Sequence, residues 1–253
     1  MELVGRHALV TGGGRGIGAA IARALTEAGA QVTVLGRGVV SLAAMVEAGH
    51  AAGCVRADVT EPAGLAAAIA SAEAARGPLA ILINNAGGAE SAPFARADRS
   101  LWDRMLALNL TAVYEAIHLV LPGMVARGWG RVVTVASTAG LVGYPYVAAY
   151  VAAKHGAVGL TRALAREVAR SGVTVNAVCP GYTETDLLSA SIARIVERTG
   201  RTAEQARAAL TASNPQGRLV RPEEVAATVV FLCGAGAAAI TGQALVVAGG
   251  ELT

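Results

Sequence analysis

Apolar residues in this chain come in short unbroken runs rather than in alternation with polar ones. The runs are HALVTG (7–12), QVTVLG (31–36), CVRADV (54–59), LAILINNAG (79–87), RVVTVAS (131–137), VTVNAVCPG (173–181) and ALVVAGG (244–250). A strand that is apolar on both faces needs cover on both faces, so these runs predict a parallel sheet sandwiched between helices. Helical patterns fill the gaps, at 16–29, 39–49, 61–76, 99–127, 148–171 and 222–234. The repeated βα alternation predicts one doubly wound α/β domain over residues 1–253, with a seven-stranded parallel sheet and helices on both faces. Residues 182–217 break the rhythm. They read as two short amphipathic helices and a Pro-containing turn, a pattern that suits a mobile lid over a site.

Composition narrows the function classes. Hydrophobic residues make up 54% of the 253 residues and charged residues 15%, which marks a core-rich globular chain. The net charge is +3, and the basic residues are dispersed; the longest like-charge cluster is Glu223-Glu224. That distribution argues against nucleic-acid and membrane partners. The first residues, MELVGRHALVTGG, enter a strand pattern at once and carry no apolar segment of secretory length. Cys54, Cys179 and Cys233 are widely spaced, without a CxxC or Cys/His cluster. No metal site and no disulfide framework is expected, and the expected setting is cytoplasmic.

The turn after the first strand carries the first chemistry. TGGGRGIG runs from Thr11 to Gly18 and opens the first helix. Gly12, Gly14, Gly16 and Gly18 allow a tight turn and a close backbone approach. The helix start, at Arg15, Gly16 and Ile17, points N–H groups at an anion. A Gly-rich turn in this place predicts a Rossmann-type NAD(P) site. The second strand ends VLGR, so Gly36 stands where an NAD-selective site usually places a carboxylate. Arg37 follows, and Arg15 lies in the loop. Two guanidinium groups favour a 2′-phosphate, hence NADP(H) over NAD(H), which stays possible. Asp58 and Val59, at the end of the third strand, are candidates for the adenine. Asn85, Ala86 and Gly87, at the end of the fourth, suit a backbone passing close to a ribose.

AYVAAKHGAVG (149–159) is a helix of small apolar residues that carries one phenol and one ammonium a turn apart, at Tyr150 and Lys154. Ser137 ends the fifth strand, and Asn109 lies in the helix after the fourth. With these residues the chain resembles the short-chain dehydrogenase/reductase family over nearly its whole length. The motifs that carry the resemblance are TGGGRGIG, Asp58-Val59, NNAG (84–87), Asn109 in ALNL, Ser137 in VASTAG, YVAAK (150–154) and Pro180-Gly181.

The resemblance implies catalysis by Asn109, Ser137, Tyr150 and Lys154. Tyr150 exchanges a proton with the substrate oxygen, and Ser137 polarises the carbonyl. Lys154 lowers the phenol pKa from its ordinary ~10 and holds the nicotinamide ribose. Asn109 holds a water that links Lys154 to solvent. Pro180, Gly181, Thr183 and Thr185 border the nicotinamide.

The texture is nearest to 3-oxoacyl thioester reductases and aromatic-polyketide ketoreductases. It implies an NADP(H)-dependent reductase of a 3-oxoacyl thioester or related ketone, with the carrier open between acyl carrier protein, CoA and none. The alternatives are an NAD-dependent secondary-alcohol or 3-hydroxyacyl-CoA dehydrogenase and, more remotely, a non-catalytic nucleotide sensor. Arg127, Arg131 and Arg170 lie near the places where carrier-protein reductases present basic residues. Arg194, Arg198, Arg201 and Arg207 in the lid could meet a phosphate. Leu106, Leu110, Val113, Ile117 and Val120 exceed one sheet-facing stripe. That excess and the resemblance imply a homotetramer built on the 99–127 and 148–171 helices.

Overall fold

The computed structural model describes residues 3–252, without the side chains of Leu187, Ala190, Ser191, Arg194, Ile195 and Arg198. Within them, seven parallel strands form one sheet in the order β3-β2-β1-β4-β5-β6-β7. The strands are β1 (His7–Thr11), β2 (Gln31–Gly36), β3 (Gly53–Arg56), β4 (Leu79–Asn84), β5 (Gly130–Val135), β6 (Val173–Pro180) and β7 (Ala244–Val247). The order reverses between β1 and β4, which opens a crevice at the carboxyl ends of those strands.

Successive side chains of each strand feed opposite faces. From β1, Ala8 and Val10 join a core with Ile21 and Leu25 of α1 (Gly16–Glu27) and Val229 of α9 (Pro222–Cys233). Leu9 joins the other core, with Leu65 and Ile69 of α3 (Pro62–Arg76) and Val113 and Ile117 of α5 (Ala112–Ala126). This is the two-sided cover that unbroken apolar strands require. The remaining helices are α2 (Val39–Glu47), α4 (Arg99–Leu106), α6 (Ala148–Glu167), α7 (Asp186–Thr199) and α8 (Ala203–Thr211). The last two form the expected helix pair of the 182–217 insertion.

Three expectations need correction. The runs at 54–59, 79–87 and 244–250 leave the sheet early, at Arg56, Asn84 and Val247. After β4, for instance, Asn85 N and Ala86 N donate to the Thr11 hydroxyl of β1 instead of continuing the ladder with β5. The 99–127 helix is interrupted by a π turn at Ala107–Thr111, which re-aims Asn109 into the interior. Finally, Val113, Ile117 and Val120 do not form a spare face: they pack on the sheet at 4%, 2% and 3% exposure. The apolar residues left outward on α4 and α5 are Trp102, Tyr114, Leu119 and Val125. Arg99–Ala126 is long and apolar enough to cross a membrane by length and mean hydropathy, but its sheet-facing residues make it a core helix here.

Candidate active site

The Gly-rich turn is built by close packing. Gly12 has φ +65°, and Gly18 sits so near it that a Cβ there would lie 2.2 Å from the Gly12 carbonyl oxygen. Thr11 and Asn85 hold this turn rather than open toward a ligand. The Thr11 hydroxyl accepts from Asn85 N and Ala86 N, each at 3.0 Å. The Asn85 amide donates to the carbonyls of Thr11 (2.9 Å) and Gly12 (3.2 Å). The first turn of α1 carries no side-chain cap and no acidic residue. An uncapped helix start facing the crevice fits a phosphate.

Around the ribose position, Gly36 has room. A Cβ there would meet only Leu42, at 3.7 Å, so nothing steric excludes a carboxylate. Arg15 is exposed and forms no ion pair among the described residues. Arg37 lies 3.6 Å from Asp58 Oδ2. Asp58 also caps its own turn, with Oδ1 accepting from Thr60 N at 3.0 Å and the Thr60 hydroxyl at 2.8 Å. Those Thr60 bonds, with Arg37 adding to them, hold its carboxyl below the usual range. Asp58 therefore does the work of a turn cap. Val59 is buried in the core.

At the other end of the crevice, Ser137, Tyr150 and Lys154 converge. Ser137 follows β5, and its oxygen accepts from Ala139 N at 3.1 Å. Its hydroxyl faces the Tyr150 phenol and works to lower that group's pKa. Lys154 is 4% exposed. Its ammonium donates to Val135 O at 2.9 Å and lies 5.7 Å from the Tyr150 ring centre. Burial pulls Lys154 down to about 8, which still leaves it charged at neutral pH.

The expected lowering of the Tyr150 pKa is not found in the protein alone. Burial pushes the phenol upward, and the Ser137 hydrogen bond opposes it only in part. Lys154 gives one of its three N–H groups to the Val135 carbonyl.

Asn109 is fully buried in the π turn. Its amide donates to Gly88 O (2.9 Å) and Met105 O (3.1 Å), and its oxygen accepts from Gly88 N (3.2 Å). A Cβ on Gly87 would lie 2.9 Å from Asn109 Oδ1 and 3.5 Å from Lys154 Nζ. The missing side chain leaves a cradle beside the ammonium, a fit for ribose hydroxyls. With the uncapped α1, it makes the crevice suit a dinucleotide.

Past β6, the Thr183 hydroxyl turns back to Gly181 O at 2.9 Å. Thr185 caps α7, and its methyl would touch a Cβ on Gly16 at 3.2 Å. The 182–217 insertion thus starts directly over the Gly-rich turn. Cys179 is buried beside Ser137 and pushed up to about 11, as suits a core residue.

The basic residues fare unevenly. Arg127 is exposed but donates to Leu79 O at 2.6 Å, Arg131 is 4% exposed and stacked on Trp129, and Arg170 is exposed. Arg207 pairs with Glu184, while the side chains of Arg194 and Arg198 lie outside those described.

Sequence reasoning missed a polar group beside Thr138, the neighbour of Ser137. Tyr144, Tyr182 and Glu251 meet there, drawn from three distant segments. Nothing in their local patterns marks them.

The chain matches known proteins over almost its full length. The family model described as short chain dehydrogenase matches residues 6–195. A D-beta-hydroxybutyrate dehydrogenase of Rhizobium meliloti is 39% identical, covering 97% of this chain and 98% of the relative. An acetoacetyl-CoA reductase of the same organism is 39% identical, again over 97% and 98%. A crystal structure of an actinorhodin polyketide ketoreductase variant with NADPH superposes with a TM-score of 0.93 at 42% identity, covering 97% of each chain.

Proposed function

This chain belongs to the short-chain dehydrogenase family, and from that premise we propose that it is an NADP(H)-dependent ketoreductase. Its substrate is the 3-oxo group of an acyl thioester, on CoA or an acyl carrier protein, or a related ketone. The observation that carries this reading is the Ser137, Tyr150 and Lys154 cluster at the carboxyl end of the sheet, beside a Gly-rich turn with no cap of its own. Relatives named for acetoacetyl-CoA and polyketide reduction support it.

When bound, the nicotinamide supplies the hydride. The chain supplies the rest. Ser137 donates to the substrate oxygen and polarises the carbonyl. Tyr150 donates the proton that the oxygen gains as it becomes an alcohol. Its upward-shifted pKa keeps it a phenol, ready to donate, at neutral pH. Lys154 steadies the charge that appears on Tyr150 and holds ribose hydroxyls. Asn109, fixed to Gly88 and Met105, keeps the π turn open for a water that returns protons to Lys154.

Backbone at Gly12, Gly14, Gly16, Ile17 and Gly18 holds the phosphates, with Thr11 and Asn85 fixing the turn. Ala86, Gly87, Pro180, Gly181, Thr183 and Thr185 border the rest of the dinucleotide. Arg15 and Arg37 select NADP(H). The 182–217 lid closes over the substrate. The enzyme works in the cytoplasm as a homotetramer, paired through the outward faces of α4 and α5.

The test is oxidation of NADPH and of NADH with acetoacetyl-CoA, followed by absorbance. A ten- to few-hundred-fold preference for NADPH in kcat/KM is expected, at about 1.4 kcal/mol per tenfold. Gly36→Asp with Arg37→Ala should reverse it, since position 36 has room for the new carboxylate. The second reading is an NAD-dependent hydroxyacyl dehydrogenase, as the relative named D-beta-hydroxybutyrate dehydrogenase suggests. Faster turnover of a 3-hydroxyacyl-CoA with NAD than of the 3-oxo compound with NADPH would establish that reading instead.

A further inference from the structure

We propose that Glu251 sets the charge selectivity of the substrate pocket. It makes the enzyme refuse ketones with a free carboxylate near the reacting carbon and accept the neutral esters or thioesters of the same acids. The proposal rests on the reading of the site as a ketoreductase.

Glu251 lies two hydrogen bonds from the catalytic segment, through Tyr144 and Thr138. Its Oε1 accepts the Tyr144 hydroxyl at 2.5 Å and the Ser213 hydroxyl at 3.2 Å. The same Tyr144 oxygen lies 2.9 Å from the hydroxyl of Thr138, the neighbour of Ser137. Its Oε2 points at Gly181, where a Cβ would stand 2.8 Å away, and no donor reaches it among the described residues. Tyr182 completes the link, because it feels the charge of Glu251 and in turn faces Tyr150. Glu251 is thus tied through Tyr144 to Thr138, the neighbour of Ser137, and lies against Gly181 at the nicotinamide border.

None of the described Lys or Arg side chains comes within ion-pair distance of Glu251. An exposed carboxylate would be screened by water. This one is partly buried, so its field acts on whatever enters the pocket. A substrate anion placed there meets like charge, and such juxtaposition is a standard source of discrimination. A neutral ester or thioester carbonyl pays no such penalty. A hydroxyl on the substrate could donate to Oε2.

The test compares ethyl acetoacetate with acetoacetate, each with NADPH, in the wild type and in Glu251→Gln. Glutamine keeps the shape and can still accept from Tyr144. The wild type should favour the ester by a hundredfold or more in kcat/KM. The variant should narrow that ratio at least tenfold, through a lower KM for acetoacetate, with the ester rate nearly unchanged. Inhibition of ester reduction by butyrate and by butyramide repeats the comparison without turnover: the variant should bind butyrate more tightly and butyramide as before. An unchanged ratio in an active variant would overturn the proposal. So would an equal loss on both substrates, which would make Glu251 a strut for Tyr144 and Ser213. If the wild type oxidised NADPH with no ketone or thioester at all, the ketoreductase reading would fail first, and this inference with it.

Discussion

Tyr150 and Lys154 occupy positions that folding alone would fill differently. The phenol has its pKa raised by burial, and the ammonium has its pKa lowered by the same cause. Tyr150→Phe keeps the ring packed and removes the proton donor. It should cut kcat by about 10²–10⁴-fold while NADPH binding, followed by fluorescence, stays near wild type. Lys154→Met should have two opposite effects. Turnover should collapse, and stability at pH 7 should rise.

The ammonium falls from an ordinary value of 10.5 to about 8 on folding. Below pH 8 the native state carries the whole cost of burying the charge. Between pH 8 and 10.5 the unfolded chain binds more protons than the folded one, so wild-type stability rises with pH. The gain from methionine is roughly 1–3 kcal/mol at pH 7, at about 1.4 kcal/mol per unit, less the bond to Val135 O. Denaturant unfolding at pH 7 and pH 10 checks both the sign and its disappearance.

At the scale of elements, α9 shows how a loop is tied to a helix start. Glu224 accepts from Arg221 N at 2.8 Å and forms two hydrogen bonds with Arg218, at 2.7 and 2.8 Å. The Arg218 bonds chiefly hold its carboxyl at about 2. Glu224→Ala should cost about 1 kcal/mol, or about 2 °C in Tm for a chain of this length. The depressed pKa makes this contribution present above the ordinary carboxylate range and lost as pH falls toward 2. Wild type and variant should therefore converge in thermal melts at low pH.

The elements themselves were legible because their signals are local. Unbroken apolar runs gave seven strands, and the four-residue spacing of Tyr150 and Lys154 put both on one helix face. Other features depend on direction or distance. Val113, Ile117 and Val120 look like surplus in the chain, because a list of apolar positions does not say which stripe meets the sheet. The contact of Glu251 with Tyr144 spans 107 residues, so no window along the chain holds both partners. Asp58 was read as a ligand for adenine because a carboxylate after a strand suits one. That it also caps a turn through the Thr60 hydroxyl is a feature this position along the chain does not display.

For the whole molecule, the outward apolar residues of α4 and α5 set the assembly test. Trp102 is 38% exposed, Tyr114 47% and Leu119 40%. Tyr114→Glu with Leu119→Glu places two charges on the surface assigned to the subunit contact, while the sheet-facing side stays intact. Sedimentation velocity should show the wild type as a tetramer and the variant as smaller species with a native circular dichroism spectrum. The sheet order has a further consequence, for how the chain comes to be folded. β1 pairs with β4 on one side, joining His7 to Leu79. On the ribosome, β1 and β2 can meet early, but the inner edge of β1 stays open until residues 79–84 emerge. That edge belongs to HALVT, an apolar strand with no charge to keep other chains away. Contacts so distant in sequence form slowly, and exposed strand edges recruit neighbours. Slower synthesis at low temperature should therefore raise the soluble yield more than any change to the surface.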